Sequence, residues 1–133
     1  MGKLLIVNGS PRAPRSNSKK YAEHFKKYWG NDTEEYNVTV KQHTRICEKL
    51  GQYGDLLLVF PLYADGLPVT LMHFLKEVER HSIENKPTIH VLINCGFIEP
   101  EQNEMAVELI RFFCKKNNYS YGATLCIGSG EAI

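Results

Sequence analysis

The segment that most constrains the fold is Leu4–Ser18, which reads LLIVNGSPRAPRSNS. Its apolar start, Leu4–Val7, is typical of a strand buried on both faces, and Asn8-Gly9 then stops the run. Ser16–Ser18 supplies three side chains that commonly cap a helix, so a helix is predicted to begin there. A strand, a hydroxyl-rich loop and a helix N-terminus in this order are typical of a phosphate site.

The charge of this region agrees with an anionic ligand. The first 22 residues contain five cationic side chains and no carboxylate, and Arg12 and Arg15 lie inside the loop itself. The Walker motif is absent, since no Gly-Lys-Ser/Thr occurs, and Gly9 alone cannot supply the three spaced glycines of a dinucleotide fingerprint. A site for one phosphate, as in flavin mononucleotide (FMN) proteins, is favoured over a solvated basic loop that caps an ordinary helix.

The rest of the chain alternates between strand and helix patterns, which predicts a doubly wound α/β domain spanning residues 1–133 with five parallel strands. The predicted strands are Leu4–Val7, Tyr36–Lys41, Leu56–Phe60, Thr88–Ile93 and Tyr119–Ile127, and the predicted helices are Lys19–Trp29, Thr44–Tyr53, Pro68–His81 and Glu101–Asn117. Apolar residues cover more than one face of the last helix, which predicts contact with a second subunit.

Composition excludes several functional classes. The 133 residues carry a net charge of +1, so nothing indicates nucleic-acid binding. No apolar run approaches the ~20 residues needed to span a bilayer, and a cytoplasmic location is expected. The four cysteines are scattered without a C-x-x-C pair, so we expect reduced thiols and no metal site.

Ligands of doubly wound sheets bind beyond the carboxyl ends of the strands, at the point where the strand order reverses. Two further loops are predicted at that edge. One follows Phe60 and offers Leu62 and Tyr63 as a flat apolar contact for a ring system. The other contains Asn94, Cys95 and Gly96, and no histidine lies on that loop to activate the thiol, so Cys95 is given no catalytic role.

Two stretches, LIVNGSPRAPRSNS at Leu5–Ser18 and FPLYADGLPVTLMHFL at Phe60–Leu75, resemble the NAD(P)H-dependent FMN reductase and flavodoxin-like quinone oxidoreductase superfamily. The resemblance runs along essentially the whole chain and implies a flavodoxin-like sheet of order 2-1-3-4-5. It also implies bound FMN and a homodimer or larger homo-oligomer. The implied cofactor-binding residues are Ser10, Arg12, Ser16, Asn17 and Ser18 around the phosphate, Pro61, Leu62, Tyr63 and Ala64 along the isoalloxazine, and Asn94, Cys95 and Gly96 on the opposite loop.

The function implied by this resemblance is an FMN-dependent NAD(P)H oxidoreductase that reduces a quinone, a free flavin or a similar small acceptor. The flavin carries the chemistry, so no catalytic side chain is assigned. The alternatives are a flavodoxin-type electron carrier, disfavoured by the near-neutral charge, and a remnant of the fold without flavin.

One departure from the superfamily concerns the end of the sequence. Members usually continue into a final helix after the fifth strand, whereas this sequence stops where that helix would begin. We therefore expect one face of strands three to five to be bare, unless a longer natural protein or another chain covers it.

Overall fold

The computed structural model describes residues 3–9, 33–37, 43–61, 67–94 and 100–127. Within these ranges the chain forms five strands and three helices, with a 3-10 turn at Leu50–Gln52. In chain order they are β1 (Leu4–Asn8), β2 (Thr33–Asn37), α1 (His43–Lys49), β3 (Asp55–Pro61), α2 (Val69–Arg80), β4 (Thr88–Asn94), α3 (Pro100–Asn117) and β5 (Tyr121–Ile127). None of the helices in the described part of the chain is long and apolar enough to cross a membrane.

The five strands form one parallel sheet in the order β2-β1-β3-β4-β5. The chain passes from β1 outward to β2 and then returns across β1 to β3, so the strand order reverses between β1 and β3. This is the predicted flavodoxin-like topology, and the fold class is confirmed. The point of reversal also defines where a ligand of such a sheet would bind.

The core lies mainly on one face of the sheet. All five residues of β1 are 0% exposed, as expected for a strand covered on both sides. Alternate side chains of β1, β3 and β4 pack with the three helices into a large apolar cluster. The opposite face carries a smaller cluster consisting of Leu4, Ile6, Leu57, Val59 and Leu92.

The second strand was predicted to span Tyr36–Lys41, and the predicted first residue is wrong. β2 begins three residues earlier, at Thr33, and pairs with β1 from Leu4↔Thr33 to Asn8↔Asn37. The segment Thr33–Asn37 has no apolar run, as is typical of a strand at the edge of a sheet, and its Glu34 is exposed. Its position is determined by its hydrogen bonds to β1. Residues 38–41 lie outside the described part of the chain.

The expectation of a bare face along strands three to five is also wrong for two of these strands. Leu57 and Val59 of β3 and Leu92 of β4 are at most 4% exposed. Exposure is found on β5, where Leu125 pairs with Leu92 and is 45% exposed. β5 has a neighbouring strand on one side only, so its side chains receive less cover than those of the inner strands.

A histidine connects three strands on this second face. The backbone N–H of Ala123 donates to Nδ1 of His90 at 3.0 Å, which leaves the ring proton on Nε2. Nε2 in turn donates to the Asp55 carboxylate at 2.8 Å. A Cβ at Gly122 would overlap the same imidazole ring, so glycine permits β5 to approach His90 this closely.

Replacing Gly122 with alanine should therefore displace the His90 ring and break its two hydrogen bonds. We expect Gly122→Ala to lower the free energy of unfolding by about 1–3 kcal/mol. Urea denaturation measures this loss. In a His90→Ala background the same change should cost less than half as much, because the obstructing ring is gone. Equal costs in both backgrounds would contradict the account.

Candidate functional site

The ends of three strands meet at one edge of the sheet. Asn8, the last residue of β1, pairs with Val59 of β3, and Pro61 at the end of β3 pairs with Asn94 at the end of β4. The register of the sheet therefore brings together the points at which all three predicted binding loops leave the sheet. Asn8 is 0% exposed, whereas Pro61 is half-buried.

Gly9 holds the chain in place as it leaves β1. Its N–H donates to the carbonyl oxygen of Val59 at 2.7 Å, which extends the pairing with β3 by one residue. The hydroxyl of Thr70 donates to the Gly9 carbonyl oxygen at 3.4 Å. A Cβ at Gly9 would lie 3.3 Å from side-chain atoms of Leu71, so the close approach of β1 to α2 depends on a residue without a side chain.

The N-terminus of α2 thus lies beside the end of β1. Pro68 precedes the helix, and its carbonyl oxygen accepts the first helical hydrogen bond, from Met72 N at 3.1 Å. Pro68, the N-cap residue, makes no side-chain hydrogen bond to this end. The first backbone N–H groups of α2 and the positive end of its dipole therefore favour a negatively charged ligand at this edge.

The described residues at this edge are neutral. The end of β1, the end of β3 and the first turn of α2 contribute amides, hydroxyls and apolar groups, with no carboxylate among them. A charged network lies instead around β2, where Lys49 Nζ donates to the Tyr36 hydroxyl at 2.7 Å and is 3.6 Å from Glu34. A hydrogen bond from Tyr53 is the main cause that lowers the pKa of Glu34. Carboxylates that would repel an anion are thus absent from the described part of the site.

Several titratable groups are kept neutral inside the apolar core. Burial raises the pKa of the Cys47 thiol to about 12 and that of Cys114 to about 11. Burial also lowers the pKa of His43, whose ring packs edge-on against Phe74 with 5.7 Å between centroids. Protonated thiols are poor nucleophiles, so these groups serve packing rather than covalent chemistry.

Most of the residues predicted to bind the cofactor lie outside the described residues, and their assignment stays a prediction. These residues are Ser10, Arg12, Ser16, Asn17, Ser18, Leu62, Tyr63, Ala64, Cys95 and Gly96. Pro61 is described and ends β3 at the predicted edge. Asn94 ends β4 in the same place, although its side chain is not among those described.

The sequence interpretation missed the contact between β1 and α2. Thr70 lies 61 residues beyond Gly9, and no local pattern connects them. The available signals were weak: a glycine directly after a buried strand and a threonine in the first turn after Pro68. Neither indicates the partner of the other.

Comparison with known proteins supports the fold. No protein-family model and no curated protein sequence matches this chain. Among solved structures, the NADPH-quinone reductase of P. pentosaceus is similar with a TM-score of 0.76 and 17% identity, over 100% of this chain and 88% of that one. An FMN-dependent NADH-azoreductase of Bacillus anthracis, in complex with FMN, is similar with a TM-score of 0.76 and 13% identity, over 100% of this chain and 90% of that one. A Streptococcus pneumoniae flavodoxin is similar with a TM-score of 0.68 and 14% identity, over 95% of this chain and 84% of that one.

These neighbours agree with the resemblance found in the sequence. The fold is flavodoxin-like. At 13–17% identity the three structures establish the architecture, and the activity has to be argued from the site itself.

Replacing Gly9 with valine should disrupt the contact between β1 and α2. The added branches would meet Leu71 in a buried position, and overpacking of this kind costs about 1–3 kcal/mol of the free energy of unfolding. Urea denaturation measures this change. Gly51→Val is the matched control, because a Cβ there would have no neighbour closer than 3.9 Å. If both variants lose the same stability, the proposed close approach at Gly9 is wrong.

Proposed function

We propose that this protein is an FMN-dependent oxidoreductase that takes electrons from NADPH or NADH and passes them to a small-molecule acceptor such as a quinone or a free flavin. The observation that carries the proposal is the meeting of the ends of β1, β3 and β4 beside the N-terminus of α2. This edge belongs to a fold that is shared with a quinone reductase and an FMN-bound azoreductase.

The described residues of this edge are compatible with an anionic ligand such as FMN. An anionic ligand is favoured by the amides of the first turn of α2 and by the absence of carboxylates among the described residues of this edge. Gly9 has no side chain, so the first loop leaves β1 close to the N-terminus of α2. FMN would supply the hydride and electron chemistry when bound.

The chain's own residues would bind and orient the cofactor. In the proposal, Ser10, Ser16 and Ser18 donate hydroxyl hydrogen bonds to the phosphate, and Arg12 adds a cation. Pro61 and the next three residues contact one side of the ring system, while the loop that begins at Asn94 contacts the other. The α2 amides stabilise negative charge near the ring through their dipoles.

A flavodoxin-type electron carrier is the second candidate, because a flavodoxin is among the structural neighbours at a TM-score of 0.68. Both functions need the same cofactor site. They differ in whether reduced nicotinamide nucleotide acts as the electron donor. The net charge of +1 supports the enzyme, since carriers of this kind usually meet their partners through strongly acidic surfaces.

The purified protein, mixed with FMN and passed through a desalting column, should retain the flavin and show its visible absorption. Anaerobic addition of NADPH or NADH should then bleach that absorption, and a quinone should restore it. Retained flavin that neither nucleotide bleaches would favour the carrier. A colourless protein that takes up no FMN would refute both functions and indicate a remnant of the fold.

Replacing both Ser16 and Ser18 with aspartate should abolish FMN binding. Two like charges about 4 Å apart repel by roughly 4 kcal/mol at an effective dielectric constant of 20, so the affinity should fall by more than about 100-fold. Fluorescence titration with FMN measures this loss.

The matched control for this variant is the double change Ser82→Asp and Ser120→Asp. Both serines are exposed and precede β4 and β5, at the opposite edge of the sheet. The control adds the same charge and should leave FMN affinity unchanged. Unchanged affinity in the Ser16/Ser18 variant would place the phosphate elsewhere.

A further inference from the structure

Helix α3 carries apolar side chains on two adjacent faces, one buried and one exposed. Ala106, Ile110 and Phe113 face the sheet and are at most 7% exposed. Met105, Leu109 and Phe112, which we call the α3 stripe, are 68%, 50% and 65% exposed. At 100° per residue these three side chains fall within about 60° of one another and form a continuous apolar strip along the helix. The stripe lines a shallow groove together with Glu104 and Glu108.

One flank of the stripe is charged, with acidic residues towards the N-terminus of the helix and basic residues towards its C-terminus. Glu104 and Glu108 lie on the N-terminal half of this flank, and Arg111 and Lys115 lie on its C-terminal half. All four side chains are exposed. Within one chain, Arg111 pairs weakly with Glu108 at 3.7 Å, and its guanidinium lies 5.2 Å from the Tyr121 ring centroid.

We propose that the α3 stripe is the interface at which two copies of this chain pair, with the two α3 helices antiparallel across a twofold axis near Leu109. Such an axis brings the charged flank of one helix against the same flank of the other in reverse order. Glu104 then faces Lys115 of the second copy, and Glu108 faces Arg111. Met105 meets Phe112, and Leu109 meets Leu109.

The direction of pairing follows from this order of charges. A parallel pair would bring the charged flank against the opposite flank, where Ala106 and Phe113 pack into the core, and the four charges would have no partners. Exposed ion pairs add little affinity, so the apolar stripe supplies most of the binding and the charges select the orientation. The expected oligomer of the sequence analysis thereby acquires a specific surface.

The oligomeric state tests the surface. Sedimentation of the wild-type chain over a range of concentrations should show a species of twice the 15.2 kDa chain mass. Leu109→Glu places two carboxylates together at the axis and should give a monomer with an unchanged circular dichroism spectrum. Leu125→Glu is the matched control, because it adds the same charge to a leucine of similar exposure on the other face of the sheet and should leave the dimer intact.

A monomeric wild type would overturn the proposal and leave the stripe to another protein or another segment of the chain. A dimeric Leu109→Glu variant would overturn it too, as would dissociation by Leu125→Glu. None of these readouts depends on flavin or on activity, so the proposed function can fail while the interface stands.

Charge reversal tests the ordered flank. The acidic variant Arg111→Glu/Lys115→Glu and the basic variant Glu104→Lys/Glu108→Arg should each raise the dimer dissociation constant at least about tenfold. Mixing the two should restore pairing as a heterodimer. Unchanged self-association of either variant would show that this flank does not face itself.

Cysteine cross-linking tests the antiparallel direction, with Cys95→Ser and Cys126→Ser removing competing thiols. A mixture of Met105→Cys and Phe112→Cys chains should form a disulfide-linked dimer under mild oxidation, because the two positions face each other. Each chain alone should form little. Cross-linking of Met105→Cys to itself would indicate a parallel pair and contradict the proposal.

Discussion

The parallel pairing of β1 with β3 is the constraint on which the rest of the structure depends. Both strands are apolar on both faces, so each must be covered by packed layers on either side. Their register, from Leu4↔Asp55 to Asn8↔Val59, also determines where the two chain segments leave the sheet. The same interaction that buries the core therefore positions the edge at which a ligand of this fold would bind.

The packing of helix α2 against this sheet positions one end of the helix at the candidate site. Leu71, Phe74, Leu75 and Val78 bury one side of the helix in the core. Because that side is fixed against the sheet, the first turn of α2 lies beside Gly9, where Thr70 reaches the Gly9 carbonyl oxygen. The helix N-terminus is thus held at the edge by apolar packing along the rest of its length. A site organised in this way places dipoles and amides without needing a charged side chain.

Helix α3 both closes the core and presents apolar side chains to solvent. Its inner face closes the core through Ile110 and Phe113, while its outer face presents apolar groups between charges of ordered sign. Adjacent faces allow a surface for association to coexist with a packed core, because helical periodicity keeps the centres of the two sets of side chains about 100° apart.

Resemblance to the superfamily implied the order 2-1-3-4-5, whereas the sequence pattern by itself determined the strand-and-helix alternation and the edge where the loops leave the sheet. It could do so because continuous apolar runs such as Leu56–Phe60 are local signals of a doubly buried strand. The start of β2 was predicted wrongly because the position of this polar edge strand depends on its hydrogen bonds to β1. Such bonds produce no periodic pattern of apolar residues in the sequence. The tertiary structure alone decided that Gly9 meets Thr70, that Gly122 makes room for His90 and that Leu109 faces outward while Ile110 faces inward. Each of these facts depends on residues distant in the chain coming into contact, and composition and spacing record only what neighbours along the chain prefer.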